Sequence, residues 1–323
     1  MSTVATRKNE TGAAPRAWAY LLRYSNLWGL ALLVLVSSLL SPAFVTSTNL
    51  LNVLRQNSVL SVVAIGMTLV ILGKGIDLSV GSVVALSALT AAYTHESGFL
   101  VVVVAALTVG AVVGFVNGFF ITKFNIQPFI VTLATMIVAR GLVLYITGGQ
   151  LISGVSSFRW LGLGKLGPVS YLVLLAAALY LLFGFILRRT VYGRHVYAVG
   201  GNEEAARLSG IDVAKNRISV YVISGVMAAT AGVMLVSRLS VAEPLMGDMM
   251  ELDAISAVLI GGTTFDGGEG GLGGTLMGVL MLAFIANIFN LMGLSPALQM
   301  MIKGLIILSA VLLSLVRTRR TGR

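Results

Sequence analysis

Long apolar stretches separated by short polar ones run through almost the whole chain. Residues 30–40, for example, read L-A-L-L-V-L-V-S-S-L-L and carry no charge. Roughly 20 apolar residues in a helix cross a hydrocarbon layer of about 30 Å, where backbone polar groups cannot remain unpaired. The strands of a membrane barrel would instead alternate polar and apolar residues over about 10 positions. The pattern therefore predicts an all-α polytopic membrane protein.

Ten membrane-spanning helices are predicted. They cover residues 26–44, 58–73, 78–94, 99–122, 126–147, 168–187, 218–237, 254–262, 274–291 and 296–316. Between them lie a Gly/Ser-rich stretch at 148–167 and a polar segment at 188–217. The predicted organisation is an N-terminal tail at 1–25, a single transmembrane domain at 26–316 and a basic tail at 317–323.

Composition excludes several kinds of chemistry. Hydrophobic residues make up 57% of the 323-residue chain and charged residues 11%, against about 25% charged in an average soluble domain. The absence of cysteine excludes disulfides, a thiol nucleophile and cysteine-ligated metal centres. The two histidines, His95 and His195, fall on opposite faces of the predicted bundle. We therefore expect no metal site, no cofactor and no catalytic residues.

The basic residues orient the bundle. The net charge is +10, but the basic residues lie at the ends of apolar runs, where they indicate contact with membrane lipid and not with nucleic acid. If both termini are cytoplasmic, 16 of the 22 Lys and Arg residues lie inside and four outside, with Arg140 and Lys303 within spans. The opposite orientation would violate the positive-inside rule. These two cations either face the interior of the bundle or, as the commoner case, extend toward the membrane surface.

A weak internal repeat accompanies these two cations. Residues 138–144 read V-A-R-G-L-V-L and residues 301–307 read M-I-K-G-L-I-I. Five predicted spans separate the matched elements, and an odd number inverts the second copy. Inverted five-span repeats are typical of transporters, although so short a match can also arise by chance in an apolar sequence. The interpretation is two pseudo-symmetric, inverted halves.

The polar segment 188–217 contains a short predicted helix with signals for both ends. The residues of this predicted helix are Asn202, Glu203, Glu204, Ala205, Arg207, Leu208 and Gly210. Asparagine is a good N-cap, acidic residues suit the first turn, and glycine suits the left-handed end of a helix. Two turns are not stable alone. The helix therefore either lies on its own protein or docks a cytoplasmic partner.

A second candidate segment, G-K-G-I-D-L-S-V-G-S at 73–82, separates the second and third spans. Its candidate residues are Gly75, Asp77, Ser79 and Gly81. Asp77 is expected to cap a helix that opens at Leu78. Non-helical backbone at membrane depth is tolerated where it lines a cavity or is buried in protein. The segment is either a simple cap, the commoner case, or a gate or cavity break.

The remaining polar or glycine-rich features are less specific. The glycine run at 260–274 lacks G-x-x-x-x-G-K-[ST] and follows no strand, so it predicts close helix packing or a hinge and not nucleotide binding. Among the uncharged polar residues within spans are Asn117, Asn287, Asn290 and Gln299. They either line a solute path or bond neighbouring helices.

In these same segments the chain resembles the monosaccharide permeases of bacterial ABC importers, the branch that carries ribose, xylose and arabinose. The resemblance covers roughly residues 40 to 315. The motifs that carry it are G-M-T-L-V-I-L (66–72), G-I-D-L-S-V-G-S (75–82), T-L-A-T-M-I-V-A-R-G (132–141), G-G-N-E-E-A-A-R-L-S-G-I (200–211) and E-L-D-A-I-S-A-V-L-I-G-G-T (251–263).

The resemblance implies a permease subunit of a bacterial inner-membrane importer, with ten helices in two pseudo-symmetric halves. Two cytoplasmic ATP-hydrolysing subunits, an extracytoplasmic sugar-binding protein and a second permease copy are the implied partners. The coupling helix of the family would map onto residues 202–210. Glu203 and Glu204 would then face a basic rim on the ATPase and Leu208 would plug into it. No sugar-binding residue is implied.

Three alternatives remain for the function. A permease of the same type could carry a nucleoside or another sugar-like solute. A stand-alone secondary transporter would need carboxylates in mid-span, where this sequence has almost none. An intramembrane enzyme would need a convergent nucleophile and base, and no cysteine or intramembrane histidine is present.

Overall fold

The structure is a computed structural model that describes residues 25–320, so most of the two predicted tails lies outside the described residues. Within this range thirteen α-helices account for most of the chain. They are α1 (Ser25–Leu40), α2 (Ser47–Leu72), α3 (Val80–Tyr93), α4 (Phe99–Lys123), α5 (Pro128–Thr147), α6 (Arg159–Leu163), α7 (Tyr171–Arg189), α8 (Val191–Gly201), α9 (Glu203–Leu208), α10 (Val213–Leu239), α11 (Met250–Ile260), α12 (Leu272–Leu291) and α13 (Pro296–Arg320).

Four two-residue strands form two antiparallel pairs. Strand β1 (Ile152–Ser153) pairs with β4 (Val241–Ala242), and β2 (Lys165–Leu166) pairs with β3 (Val169–Ser170). The first pair ties the Gly/Ser-rich stretch to the chain just after α10. That stretch therefore covers one end of α10, with α6 packed against the same helix.

The polytopic helical class is confirmed. Among the described residues, α2, α4, α5, α7, α10 and α12 are long and apolar enough to cross a membrane, and α1 and α3 are shorter apolar helices. Helix α11 has 11 residues and measures about 16 Å along its axis, so it cannot cross a bilayer alone. The number of ten spans remains a prediction.

Several helix boundaries differ from the predicted spans. Helix α2 begins at Ser47 and not at 58, because Thr46 accepts a 3.4 Å hydrogen bond from the Asn49 amide and starts the helix among polar residues. Helix α1 ends at Leu40 and not at 44, shortly before Pro42, which disfavours helical backbone in the residue before it. Apolar runs locate the membrane-embedded part of a helix, whereas capping groups locate its ends.

The polar segment 188–217 contains more helix than was predicted. It holds α8 as well as the predicted α9, and α10 already begins at Val213. Helix α8 was missed because its sequence, V-Y-G-R-H-V-Y-A-V-G-G, contains three glycines, which are poor helix formers. Gly200 lies so close to the Leu72 carbonyl that a Cβ would clash with it. Packing against the end of α2 thus accounts for a glycine that helix propensity disfavours.

The core centres on α2 and α10. In the most apolar 18-residue stretch of each of these two helices, about 70% of the residues are buried. The corresponding share is 22% for α4, α5 and α7. Helix α10 packs against α2, α3 and α4, and α2 packs against α10, α11 and α12. Gly110, Gly114 and Gly118 follow one face of α4 and bring its backbone against α10, where a Cβ at any of them would clash. Small residues at this spacing allow helices in a membrane to approach closely.

Candidate functional site

Helix α9 has both of the predicted caps. The Asn202 Oδ1 accepts a hydrogen bond of 2.9 Å from the Ala205 amide. At the other end Gly210 adopts the left-handed conformation, with φ of 82°, and donates to the Arg207 carbonyl at 3.0 Å. Both ends of α9 are therefore fixed by local hydrogen bonds.

Ion pairs attach α9 to the start of α10. Glu203 pairs with Arg207 at 3.2 Å and, through its second oxygen, with Arg217. Glu204 is 3.7 Å from Arg207, and 69% of its side chain is exposed, compared with 39% for Glu203. Of the two acidic residues expected to face a partner, Glu204 is therefore the more available. Glu203 is held by arginines of its own chain.

The two faces of α9 differ. Ala206 is buried and packs with Val199 of α8 and Val213 of α10. Leu208 lies on the other side and is 81% exposed. The helix thus packs on its own protein through one face and presents a large apolar side chain outward through the other. The interpretation that the helix only lies on its own protein accounts for the buried face and not for the exposed Leu208.

The break between α2 and α3 is built around a buried carboxylate. Asp77 is 1% exposed, and its Oδ1 accepts hydrogen bonds from the Ser79 amide at 3.0 Å and the Ser79 hydroxyl at 2.6 Å. Its Oδ2 accepts a hydrogen bond of 2.8 Å from the Ser224 hydroxyl on α10. In turn the Asn117 amide of α4 donates to the Ser79 Oγ at 2.9 Å. Asp77 and Ser79 therefore join the break to α10 and α4, respectively.

The prediction that Asp77 caps a helix opening at Leu78 is wrong. Helix α3 opens at Val80, its N-cap position is Ser79, and no side chain caps it there. The reason is that the Asp77 carboxylate bends back onto Ser79 and across to Ser224. No local sequence pattern indicates the second partner, because Ser224 lies 147 positions away.

The two candidate glycines of this segment mark close approaches. A Cβ on Gly75 would clash with the Tyr221 hydroxyl, and a Cβ on Gly81 would clash with the Glu251 carboxylate and the Gly247 carbonyl. Both positions therefore tolerate only glycine without movement of their neighbours. The break and the first turn of α3 are packed against α10 and against the chain before α11.

A polar cavity of about 360 Å³ adjoins the break. Its walls come from the break, from the turn between α4 and α5, and from the start of α10. The polar residues among those walls are Lys74, Asn125, Gln127, Arg217 and Tyr221. Arg217 is the same residue that pairs with Glu203 of α9. A larger groove of about 480 Å³ between α4 and α5 is almost wholly apolar and offers no comparable donors or acceptors.

The two intramembrane cations bond protein groups in and just before α11. Arg140 donates hydrogen bonds of 2.7 Å and 3.0 Å to the Pro244 and Met246 carbonyls, and Lys303 pairs with Asp253 at 2.9 Å. Arg140 therefore binds the segment that leads into α11, and Lys303 binds α11 itself. Such partners satisfy a cation at membrane depth, and extension of these side chains toward the outer surface stays a prediction. The short repeat around these two residues was the signal that could have indicated a common role.

The other intramembrane polar residues bond neighbouring protein groups. Asn117 bonds to the break as described. Asn287 and Asn49 exchange two hydrogen bonds of 2.9 Å, and Gln299 donates to Asn290 at 2.9 Å. Of the two interpretations, bonding between helices or turns is the one that these contacts support.

The glycine run after α11 is a site of close packing. Gly274 and Gly278, at the start of α12, lie against the backbone of Gly261 and Ala257, where a Cβ would clash. Within the same run the Gly268 amide donates to the Leu72 carbonyl at the end of α2. The prediction of close helix packing is confirmed for this segment.

A bundle of apolar helices, with a polar cavity among the ends of α2, α4 and α10 and a capped helix outside the apolar stretches, is typical of membrane transport proteins. Residues 49–311 match the sequence profile of a family described as the permease component of a branched-chain amino acid transport system. The chain belongs to this family of transporter permeases. No solved structure matches the chain.

Curated relatives cover nearly the whole chain. It is 44% identical over 301 residues to the ribose import permease protein RbsC of Escherichia coli (strain K12). This alignment covers 91% of this chain and 94% of the relative. It is 43% identical over 292 residues to RbsC of Bacillus subtilis (strain 168), covering 88% and 90%. The L-arabinose transport system permease protein AraH of E. coli K12 is 36% identical over 294 residues, covering 90% and 89%.

These relatives confirm the resemblance to monosaccharide importer permeases. The protein is a multi-pass protein of the bacterial inner membrane and the permease of an ABC importer. Its role is transport and not catalysis.

Proposed function

We propose that the protein imports a pentose, with ribose as the first candidate, by alternating between outward and inward openings. The support for the cargo is the identity of 40–44% to ribose import permeases from three genera. The polar cavity beside the break would lie on the path, with Gly75, Asp77, Ser79 and Gly81 forming a gate. A pentose presents hydroxyl groups, which the amide, ammonium and guanidinium groups of that cavity can bond.

Helix α9 is, in this proposal, the docking site for a separate cytoplasmic ATP-hydrolysing subunit. The observation that carries it is the 81% exposure of Leu208 on a helix whose two ends are fixed by caps. A rigid helix with one projecting apolar side chain suits insertion into a hydrophobic groove. An extracytoplasmic sugar-binding protein would deliver the cargo, and two permease copies would form the pathway.

The proposed topology has ten spans in two inverted halves, with both termini in the cytoplasm. Contacts between connecting segments support it, because they join segments that the topology places on one side. On the proposed outer side β1 pairs with β4, and the Ser157 hydroxyl donates to the His95 carbonyl. On the proposed inner side Gly268 donates to Leu72, and the Tyr197 hydroxyl donates to the Gly270 carbonyl.

The order of helices supports the two halves. The series α1 to α5 and the series α7, α10, α11, α12 and α13 each contain a long second helix followed by a short third one. The second helix of each series packs against the third and fourth helices of the other. Such an exchange is what a two-fold axis in the membrane plane would produce.

The test is uptake of labelled pentoses, hexoses and nucleosides by cells that express the chain with its ATPase and binding protein, with each omitted in turn. Uptake of one pentose that requires all three would support the proposal. Uptake of a nucleoside under the same requirement would retain the importer and replace the cargo. The mass of the purified complex in detergent tests for two permease copies.

A stand-alone secondary transporter is the rival, and the buried Asp77 is the observation that favours it. A carboxylate inside a membrane protein is a common proton or cation site. Three hydrogen bonds from Ser79 and Ser224 already occupy this one, which favours a structural use. Uptake by the chain alone, abolished by Asp77→Asn, would establish the rival.

A further inference from the structure

One face of α10 touches both the docking helix and the buried break. Arg217, Tyr221 and Ser224 are spaced i, i+4 and i+7 on this helix, which places them in one row along its surface. The Tyr221 and Ser224 side chains are 1% exposed, and that of Arg217 is 20% exposed. The row thus leads from the surface of the protein into its core.

Each member of the row has a partner outside α10. Arg217 pairs with Glu203 of α9. The Tyr221 hydroxyl donates to the Ile76 carbonyl at 3.3 Å, and the Ser224 hydroxyl donates to the Asp77 Oδ2 at 2.8 Å. Two turns of one helix therefore connect α9 to two consecutive residues of the break.

The break depends on these contacts for its shape. Lys74 has a positive φ of 62°, a conformation that costs a residue with a side chain roughly 1 kcal/mol or more. Gly75 lies directly against the Tyr221 hydroxyl, where no Cβ fits. A displacement of Tyr221 along or across the α10 axis would therefore push on the break, and the break forms one wall of the 360 Å³ cavity.

We propose that this face of α10 relays the displacement of α9 to the break, so that Arg217, Tyr221 and Ser224 are positioning residues that couple the partner's ATP cycle to opening of the cavity. The inference rests on the proposed function, in which α9 docks the ATPase. It adds the path by which docking reaches the membrane interior. The path is tested by measuring the energetic coupling between its residues.

The relay differs in a measurable way from static packing. If the three residues only hold the fold together, their substitution lowers stability and leaves the ratio of sugar transported to ATP hydrolysed unchanged. If they relay movement, conservative substitution leaves docking intact and lowers that ratio. The ratio is therefore the quantity to measure, since a purely structural role would not change it.

The experiment uses the complete importer reconstituted in liposomes, with Tyr221→Phe and Ser224→Ala as the variants. Each removes one hydroxyl that bonds to the break. The matched controls are Tyr180→Phe, whose buried hydroxyl has no hydrogen-bond partner among the described residues, and Ser237→Ala, whose hydroxyl bonds only the Met234 carbonyl of its own helix. Co-purification of the ATPase, its basal rate and ribose uptake per ATP are measured for all four.

We expect both variants to bind the ATPase as the unaltered chain does and to lose about fivefold or more in uptake per ATP, as for typical coupling free energies. The controls should lose less than twofold. The double variant Glu203→Gln/Ser224→Ala should lose little more uptake per ATP than the more impaired single variant. The reason is that the effects of two substitutions on one path are not additive.

A wild-type ratio in both Tyr221→Phe and Ser224→Ala would overturn the relay and leave the docking proposal standing. Additive losses in the double variant would overturn it as well, since independent effects imply separate paths. Failure of the unaltered chain to bind the ATPase would overturn the proposed function and the relay together. A near-normal ratio in Ser224→Thr, which keeps a hydroxyl at this position, beside a lowered ratio in Ser224→Ala would support the relay.

Discussion

Helix α9 and the break before α3 are built from similar residues but depend on different parts of the chain. Each has a short polar side chain that organises it, Asn202 in α9 and Asp77 in the break, and each is flanked by glycine. The Asn202 bond reaches three residues ahead, whereas the Asp77–Ser224 bond spans 147 positions. The caps of α9 therefore depend on neighbouring residues, whereas the shape of the break depends on a distant helix.

The comparison predicts two kinds of defect. Substitutions in α9 should impair work with the partner and leave the bundle as stable as before. Substitutions in the break should lower the stability of the bundle itself, because the break exists only where distant helices meet. Three variants test this distinction, and a fourth tests a local cap at the start of α10.

The largest expected effect is that of Asp77→Ala. It removes the acceptor of the Ser79 amide and of the Ser79 and Ser224 hydroxyls, and these buried donors then lack a partner. We expect a loss of about 3 kcal/mol in the free energy of unfolding, seen as a lower melting temperature in detergent. Asp266→Ala, in an exposed part of the glycine run, is the matched control and should melt with the unaltered protein. If the unaltered protein, Asp77→Ala and Asp266→Ala had equal melting temperatures, the bundle would not depend on the contacts of Asp77.

Next in size is Leu208→Asp. If the leucine fills a hydrophobic groove on the ATPase, its loss should cost about 2 kcal/mol, which weakens partner binding roughly thirtyfold. The melting temperature should not change, because the side chain is 81% exposed. Leu166→Asp, in the exposed β2–β3 turn, serves as the control. Partner affinity is measured by titration with the purified ATPase, and a shared loss in both variants would contradict a specific docking role.

These two regions also delimit what the sequence could predict. The caps of α9 were predictable because Asn202 and Gly210 act on neighbours within a few positions. The bundle of helices was predictable because lipid admits so few backbone arrangements. The partner of Asp77 was not, since nothing near Ser224 marks it as a donor to a residue in another span.

Arg140 illustrates the same limit in another way. Its position within an apolar run is plain from the sequence, but the groups that satisfy its charge are not. The actual partners are backbone carbonyls of Pro244 and Met246, and a carbonyl carries no signature in sequence. Helix α8 was missed for a related reason, because packing at Gly200 outweighed its poor helix propensity.

A smaller effect is expected for Asn202→Ala. Loss of the N-cap costs about 1 kcal/mol of helix stability, and the cost should fall on α9 alone. Partner binding should weaken about fivefold with no change in the melting of the bundle. Asn202→Asp keeps an acceptor for the Ala205 amide and should bind nearly as well as the unaltered chain. A fall in the melting temperature of the bundle would show that α9 is not independent of it.

The smallest effect is expected at Asp212, the exposed aspartate that caps α10. Its Oδ1 accepts a 3.0 Å hydrogen bond from the Lys215 amide, and this bond, with the Lys215 ammonium, lowers the pKa of the carboxyl below its ordinary value. A lowered pKa in the folded state means that the carboxylate stabilises the fold above its ordinary pKa, and that this contribution is lost as the pH falls through the lowered value. Asp212→Asn keeps the cap without the charge. The melting temperature of this variant should therefore fall slightly less than that of the unaltered protein between about pH 5 and pH 2, and identical curves would mean that the local cap contributes nothing through its charge.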